Sequence, residues 1–268
     1  MDYVPDAADG DDYRCFLLDP GLDRDAFVTG YEVIPGEPEI VHHAIVYNLN
    51  NPIALRNAYE LDAEDPEPGW TCYGGSGAGG AGLVALAGPT GGASYYPEGT
   101  GIRLKAGTRV VLQVHYHLTD GYEKHEGEDG HTDRSTLALR LADAVEKEAW
   151  LFLVAVRDLE LPPGRDLVLQ TDEMVLPPAG PDATIWGVAP HMHELGKTFL
   201  VERIRGGEST CMAKVNDWNF LFQDFGEYTE PMVIKPGDTL RVTCGYDTRG
   251  QTETTYWGDS STDEMCIN

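Results

Sequence analysis

Short runs in which apolar and polar residues alternate recur along the whole chain, and glycine or proline separates most of them. A period of two brings every second side chain to the same face of an extended strand, so these runs predict β-strands. Helical periodicity is scarce, and only residues 52–64 have the pattern of a short helix. We therefore expect an all-β protein. The predicted strands are 40–48, 109–118, 135–141, 151–157, 167–171, 184–188, 199–204 and 239–246.

Two segments share one pattern: a lysine, a glycine turn, and then a strand with apolar residues at alternate positions. They are 104–116 and 234–246, and a weaker copy begins at Leu161. Agreement over so many positions favours two related β domains, and many short strands joined by turns indicate antiparallel sandwiches or barrels. The polar stretch 143–148 sets the expected boundary, which gives domains 1–147 and 148–268.

The charge balance excludes several classes of partner. The 268 residues include 45 Asp and Glu against 19 Lys and Arg, for a formal net charge of −26. Such a surface repels nucleic-acid phosphates and anionic bilayers, and no apolar run approaches the roughly 20 residues of a membrane helix. With 41% apolar residues the chain can still bury a core. We expect a folded protein of a salty or extracellular medium, with no nucleic-acid partner and no membrane insertion.

Five cysteines, at positions 15, 72, 211, 244 and 266, bear on the compartment. None forms a C-x-x-C pair, which argues against a zinc ribbon or a thioredoxin-like motif. Widely spaced cysteines in an acidic, glycine-rich chain favour disulfides and export, and five buried free thiols in a cytosolic protein are the alternative. We expect a secreted, periplasmic or cell-surface protein whose export signal has been removed before the acidic run that starts at Asp6.

Residues 74–92 are rich in glycine and contain a G-x-G-x-x-G pattern over 77–82. A dinucleotide site needs this pattern between a strand and a helix, with an acidic residue on a following strand. Neither requirement is met here, so we interpret the segment as a flexible surface loop.

Six of the eight histidines form three tight clusters, which are His42 with His43, His115 with His117, and His191 with His193. Residues two apart on a strand share a face. The histidines of strand 109–118 therefore leave the sheet on its polar face, away from the core. By the same rule the pair at 191 and 193 can chelate one ion.

The other histidines need separate interpretations. His42 and His43 are adjacent, so a common metal requires a bulge or the use of different ring nitrogens. His125 and His131 lie in a charged loop and are expected to be exposed to solvent.

Apart from Glu194, the histidine clusters contain no carboxylate in a ligand pattern. Sets of imidazole ligands alone suit zinc or copper. Met192 points to the opposite face from its histidine neighbours and is interpreted as a packing residue. Met265 lies among polar residues, where core packing does not account for it. A thioether is a soft ligand that prefers Cu(I), so Met265 favours copper.

The motifs around these residues resemble the copper type II, ascorbate-dependent monooxygenases over nearly the whole chain, and their joint occurrence in this order is highly specific. The motifs are Val41-His-His-Ala44, Gln113-Val-His-Tyr-His117, His191-Met-His-Glu-Leu-Gly-Lys197, Asn216-Asp-Trp-Asn-Phe220, Lys235-Pro-Gly-Asp-Thr-Leu240 and Asp263-Glu-Met-Cys266. The resemblance implies two antiparallel, jelly-roll-like β-sandwich domains, each contributing one copper site across a solvent-filled cleft.

The resemblance also implies the ligand sets and their roles. The first-domain copper is expected on His42, His43 and His115, and the second-domain copper on the catalytic residues His191, His193 and Met265. His117 has no fixed role in the family and is interpreted as a residue behind the ligands. A cysteine that follows the ligand methionine is bridged in the family. The first disulfide expected is therefore Cys244–Cys266, the second choice is Cys15–Cys72, and Cys211 is left over.

The activity implied is that of a monooxygenase with two copper ions per chain, ascorbate as reductant and O₂ as co-substrate, hydroxylating an activated C–H bond of a small molecule. Amidating members of the family bind a peptide carboxylate with an arginine two residues before the H-x-H motif and an asparagine after the bridged cysteine. This chain has Ala189 and Ile267 there, so a glycine-extended peptide is not the expected substrate. A non-catalytic copper-binding or copper-sensing module and a structural β protein with relic histidines are the alternatives.

Overall fold

The computed structural model describes residues 2–5, 10–88, 92–118, 132–223 and 225–268. The chain divides into two units, Met1–Phe152 and Leu153–Asn268, called unit 1 and unit 2 below. Both consist mainly of strands in antiparallel sheets, which confirms the predicted all-β fold class. Eight strands were expected, and the described ranges contain many more.

Unit 1 contains ten strands and a helix within its described residues. They are β1 (Asp11–Leu18), β2 (Ala26–Ile34), β3 (Val41–Asn48), α1 (Pro52–Glu64), β4 (Trp70–Thr71), β5 (Gly82–Ala87), β6 (Gly92–Tyr95), β7 (Thr100–Leu104), β8 (Val110–His117), β9 (Thr136–Ala142) and β10 (Lys147–Glu148).

Two five-stranded sheets of unit 1 share one core. The first has the order β4-β1-β8-β3-β5, and the second has the order β10-β7-β2-β6 with β9 also paired to β2. All their pairings are antiparallel except that of β10 with β7. The core is built from apolar side chains of both sheets, among them Val28, Ile102, Val46 and Leu112. Alternation along β8 decides which side chains enter it, as the sequence predicted.

The other face of β8 is buried as well, which the sequence pattern did not reveal. A second apolar cluster covers it, with Ala54 and Ala58 of α1, Trp70 and Val111 among its members. The expectation that this face lies away from the main core is correct. His115, on the same face, is only 2% exposed, with Tyr13 and Asp11 against its ring.

The helix α1 occupies the predicted residues Pro52–Glu64. The Asn51 side chain caps it by accepting a hydrogen bond of 2.9 Å from the backbone N–H of Ile53, and Pro52 fits the first turn because its missing N–H has no intrahelical partner there. In the part of the chain that the structure describes, none of the helical segments has the length and apolar character of a membrane crossing.

The glycine-rich segment 74–92 is not a plain surface loop, and that expectation is wrong. Gly82–Ala87 forms β5 and pairs with β3. Before it, Ala78 is fully buried and the Trp70 indole donates to the carbonyl oxygen of Ser76 at 3.0 Å. Small residues allow this segment to lie close against the sheet and cover the second cluster. Residues 89–91 lie outside the described ranges.

Unit 2 contains a four-stranded antiparallel sheet in the order β12-β17-β14-β15, and the pairs β13-β16 and β11-β18. Its inward side chains alternate along the central strands, as Val201 and Val242 do. The strands are β11 (Glu160–Leu161), β12 (Val168–Val175), β13 (Ala183–Val188), β14 (Gly196–Arg205), β15 (Glu208–Val215), β16 (Gly226–Ile234), β17 (Thr239–Tyr246) and β18 (Thr255–Tyr256).

The strand expected at 151–157 is not formed, so that prediction is wrong. The run instead meets residues 266–268 through an isolated bridge between Ala155 and Ile267. Val154 and Val156 donate backbone hydrogen bonds of 2.8 and 2.9 Å to this segment. The apolar run is thus buried against another irregular segment and does not join a sheet.

Both expected disulfides are present. Cys15–Cys72 joins β1 to the residue after β4, and Cys244–Cys266 joins β17 to the segment that carries Met265. Cys211 is free and exposed on β15, as expected for the cysteine left over.

Replacing Cys15 and Cys72 together by serine is expected to lower the free energy of unfolding by about 2–5 kcal/mol, because the bridge closes a long loop in the unfolded chain. Urea unfolding followed by circular dichroism measures the change. Cys211→Ser is the matched control and is expected to change the stability by less than about 0.5 kcal/mol. Equal midpoints for the double variant and the control would contradict the prediction.

Candidate metal centres

A bulge in β3 brings the histidines of unit 1 together. β3 and β8 pair antiparallel, and His43 lies opposite His115 in the register. The register shifts between Val41 and His43, so that His42 is the extra residue. The side chains of His42 and His43 therefore both lie beside His115. A bulge was one of the two conditions under which these adjacent histidines could share a metal ion.

The ring nitrogens of this three-histidine set converge. Nδ1 of His43 lies 3.2 Å from Nδ1 of His42 and 3.4 Å from Nδ1 of His115. All three residues offer a nitrogen within 4.8 Å of the others. Metal–imidazole bonds of about 2.0–2.1 Å in a tetrahedral arrangement hold the nitrogens about 3.3 Å apart. The donor set therefore fits one ion that takes imidazole ligands.

The buried position of His115 prepares it for metal binding. Burial lowers the pKa of His115, while the carboxylate of Asp11 opposes this effect. The Tyr13 ring stacks on the His115 ring, with centroids 4.1 Å apart and an angle of 9° between the planes. A neutral imidazole with a fixed ring plane is the form that a metal binds.

Asp11 is a candidate functional residue that the sequence pattern did not reveal. Its Oδ1 atom lies 2.9 Å from Nε2 of His115 and 2.8 Å from Nδ1 of His117. In the sequence, Asp11 stands out only as part of an acidic run. The available signal was its place two residues before Tyr13 and four before Cys15, on one face of a strand.

In unit 2, His191 and His193 lie between β13 and β14, with ring centroids 5.2 Å apart. Nδ1 of His193 is 3.2 Å from the carbonyl oxygen of Asp263, and Nδ1 of His191 is within hydrogen-bonding distance of the Gln223 side-chain oxygen. Donation at Nδ1 leaves Nε2 of both rings as the atom with a lone pair for a ligand bond. Met192 between them is fully buried, as expected of a packing residue.

Backbone contacts bring the segment of Met265 beside the H-x-H segment of unit 2. His191 and Ile267 exchange a pair of backbone hydrogen bonds of 2.8 and 3.0 Å. The Tyr246 hydroxyl donates to the carbonyl oxygen of Met265 at 3.0 Å. With the disulfide of Cys266, these contacts fix the segment that carries the thioether next to the H-x-H segment. The Met265 side chain is itself buried.

The fully buried carboxylate of Glu264 joins the two segments. It accepts backbone N–H groups from His193 at 3.0 Å, Leu195 at 2.6 Å and Met265 at 3.2 Å. Burial raises the pKa of Glu264 to about 7, and the three N–H donors oppose the increase. Glu264 belongs to the motif Asp263-Glu-Met-Cys266, from which no role for it was predicted. The signal it offered was a charged residue directly before the candidate ligand Met265.

The remaining candidates occupy different surroundings. His117 is at the end of β8, beside the three-histidine set, and its side chain is 27% exposed. Glu194 is not a member of the candidate metal-binding groups found among the described residues. His125 and His131 lie outside the described residues.

Comparison with known proteins agrees with these motifs. Residues 168–268 match the model of the copper type II ascorbate-dependent monooxygenase C-terminal domain. The chain is 27% identical to peptidylglycine alpha-amidating monooxygenase of Rattus norvegicus, over 96% of this chain and 25% of that protein. It is 29% identical to DBH-like monooxygenase protein 1 of Homo sapiens, over 87% of this chain and 39% of that protein.

A third relative is dopamine beta-hydroxylase of Canis lupus familiaris, which is 26% identical over 66% of this chain and 29% of that protein. The chain thus spans between 25% and 39% of the length of these three relatives.

Glu264→Gln is expected to lower the free energy of unfolding by about 1–3 kcal/mol, because an amide group would point its N–H at a backbone donor in a buried site. Thermal and urea unfolding measure the loss. Glu253→Gln makes the same change at an exposed residue and is expected to change stability by less than about 0.5 kcal/mol. Equal stability of the two variants would show that the three N–H contacts of Glu264 do not stabilise the fold.

Proposed function

We propose that the chain is a member of the copper type II ascorbate-dependent monooxygenase family, whose C-terminal domain model matches residues 168–268, and that it is a copper- and ascorbate-dependent monooxygenase. The proposed reaction is the hydroxylation of an activated C–H bond of a small molecule with O₂. The observation that carries the proposal is the convergence of three imidazoles in unit 1. The adjacent imidazoles of His191 and His193, whose segment is hydrogen-bonded to the segment of Met265, support a second and different donor set in unit 2.

The proposed metal ligands are His42, His43 and His115 in unit 1 and His191, His193 and Met265 in unit 2. The chemistry that copper supplies when bound is one-electron transfer from ascorbate and the activation of O₂. Three imidazoles suit electron storage in unit 1. A thioether favours Cu(I), so the unit 2 residues are the proposed catalytic set.

The protein's own residues orient the ligands and exclude water. Tyr13 stacks over His115, and the second apolar cluster closes the sheet face beneath it. Glu264 and the paired backbone of His191 and Ile267 hold the unit 2 ligands on adjacent segments. Fixed ligands lower the reorganisation that accompanies a change of copper oxidation state.

We propose a substrate other than a glycine-extended peptide. Recognition of a peptide carboxylate near the H-x-H motif calls for a cationic side chain, since charge-assisted hydrogen bonds are the strong ones. Ala189 offers no charge there, and the backbone of Ile267 is engaged with His191. The proposed substrate is therefore a small molecule that does not present a carboxylate to the H-x-H motif.

We also propose that the protein works outside the cytoplasm. It has two disulfides, and such bridges form and persist in oxidising compartments. A secreted, periplasmic or cell-surface location would provide such an oxidising compartment.

Met265→Ile is expected to abolish ascorbate-dependent O₂ consumption and product formation. The substitution replaces the soft ligand by a side chain of similar volume, and the three-histidine set should stay loaded. The copper content of the full chain should therefore fall from two ions to one. Turnover is measured with a panel of small molecules that carry an activated C–H bond.

Met174→Ile is the matched control, since Met174 is a partly buried residue of β12 that belongs to neither donor set; two ions and full turnover are expected. Unchanged turnover in Met265→Ile would remove this residue from the mechanism. One ion in the unaltered protein, with no turnover, would instead support a copper-binding or copper-sensing module.

A further inference from the structure

The carboxylate of Asp11 connects two histidines of β8. Its side chain is 7% exposed, and a single oxygen, Oδ1, lies 2.9 Å from Nε2 of His115 and 2.8 Å from Nδ1 of His117. β1 and β8 pair so that Asp11 lies opposite His117. His115 is two residues away on the same face of β8. Both distances are typical of charge-assisted N–H···O⁻ hydrogen bonds, in which the imidazoles donate.

These hydrogen bonds determine which nitrogen of His115 carries the proton. A neutral imidazole has one N–H, and the carboxylate of Asp11 accepts it only if the proton is on Nε2. Nδ1 then keeps its lone pair, and this atom faces Nδ1 of His43 at 3.4 Å. In the other tautomer, an N–H would point into the space between the imidazoles, and the lone pair of Nε2 would face the carboxylate.

Burial makes the contact with His115 the more important of the two. His115 is 2% exposed and His117 is 27% exposed. A hydrogen bond in a buried, water-poor site is stronger, and its loss leaves a buried polar group unsatisfied. His117 donates to the same oxygen from the solvent side and so fixes the direction of the carboxylate.

We infer that Asp11 is a positioning residue of the three-histidine set. It holds His115 in the Nε2–H tautomer, so that Nδ1 is presented to the metal, and His117 keeps the carboxylate in place. The inference depends on copper binding by His42, His43 and His115 as proposed above, and it does not depend on turnover.

A second metal ion is the competing interpretation of the same atoms. Asp11, His115 and His117 also offer ligand atoms within 4.8 Å of one another. An ion there, together with one at the three-histidine set, would need His115 to lose both ring protons and bridge two metals. The hydrogen-bonded arrangement satisfies the same contacts with the neutral ring, so we favour it.

The test measures Cu(I) affinity of the full chain anaerobically, in competition with a chromophoric chelator. His191→Ala serves as the background, in which only the unit 1 set is complete. Asp11→Ala is expected to weaken Cu(I) binding by about 10- to 100-fold, as loss of a partner behind a metal-binding histidine does. Asp11→Asn should lose less, because the amide oxygen still accepts an N–H but carries no charge.

Asp12→Asn is the matched control. Asp12 is the next residue of β1, is also buried, and accepts the Tyr3 hydroxyl at 2.7 Å on the opposite face. It is expected to leave Cu(I) affinity within about twofold of the background, since additivity at independent sites holds to a few tenths of a kcal/mol. Equal weakening by Asp12→Asn and Asp11→Asn would reduce the effect to fold stability and overturn the inference.

Nitrogen-15 NMR of the metal-free protein gives a readout that a merely structural role would not change. The inference expects protonated Nε2 and unprotonated Nδ1 for His115, and a shift toward the other tautomer in Asp11→Ala. Unchanged tautomer and unchanged affinity in Asp11→Ala would overturn it. Two Cu(I) ions in the background protein, falling to one in Asp11→Ala, would overturn it in favour of the second metal ion.

The failure of the proposed function has a different signature. If the unaltered protein binds no Cu(I), the monooxygenase proposal fails. The NMR comparison of metal-free Asp11→Ala still decides whether Asp11 sets the His115 tautomer.

Discussion

The bulge at His42 is the constraint on which the unit 1 site depends. In a regular strand, His42 and His43 would point to opposite faces, and one of them would enter the core with Val46. The extra residue places both beside His115 without changing the pairing of the rest of β3 with β8. The sheet that carries the bulge has the main core on one face and the second cluster on the other.

The two proposed donor sets share one arrangement but present different ring nitrogens, Nδ1 for His115 in unit 1 and Nε2 for His193 in unit 2. An oxygen acceptor engages the ring nitrogen that does not face the ligand space. This acceptor is the Asp11 carboxylate for His115 and the carbonyl oxygen of Asp263 for His193. A carboxylate partner makes an imidazole more basic than a neutral carbonyl does. Unit 1 thus combines the more basic nitrogen with an all-imidazole set, whereas unit 2 combines a neutral acceptor with a neighbouring thioether. The difference follows the division between electron storage and oxygen chemistry proposed for the two units.

The local sequence pattern was sufficient to predict elements whose buried residues follow a regular period. It was not sufficient where a polar residue is buried because a residue distant in sequence binds it. β17 and α1 were predicted with their observed bounds, because their apolar periodicity and capping residues are local. β1 was missed because charged residues interrupt its pattern. The Arg14 guanidinium is satisfied there by Asp65 at 2.9 Å and by the carbonyl oxygens of Pro68 and Gly69, all distant in sequence. The roles of Asp11 and Glu264 depend in the same way on contacts between distant segments, so residue spacing alone could not assign them.

The bridge between Cys244 and Cys266 has a consequence for how the protein matures. Cys266 is adjacent to Met265, and a free thiolate is a stronger soft ligand than a thioether. In the nascent, reduced chain, the sulfur of Cys266 would therefore compete with its neighbour for the incoming ion. Oxidation removes this competitor and at the same time anchors the thioether. For the copper site proposed in unit 2, a disulfide that forms before metal uptake would leave Met265 as the sulfur ligand of this segment.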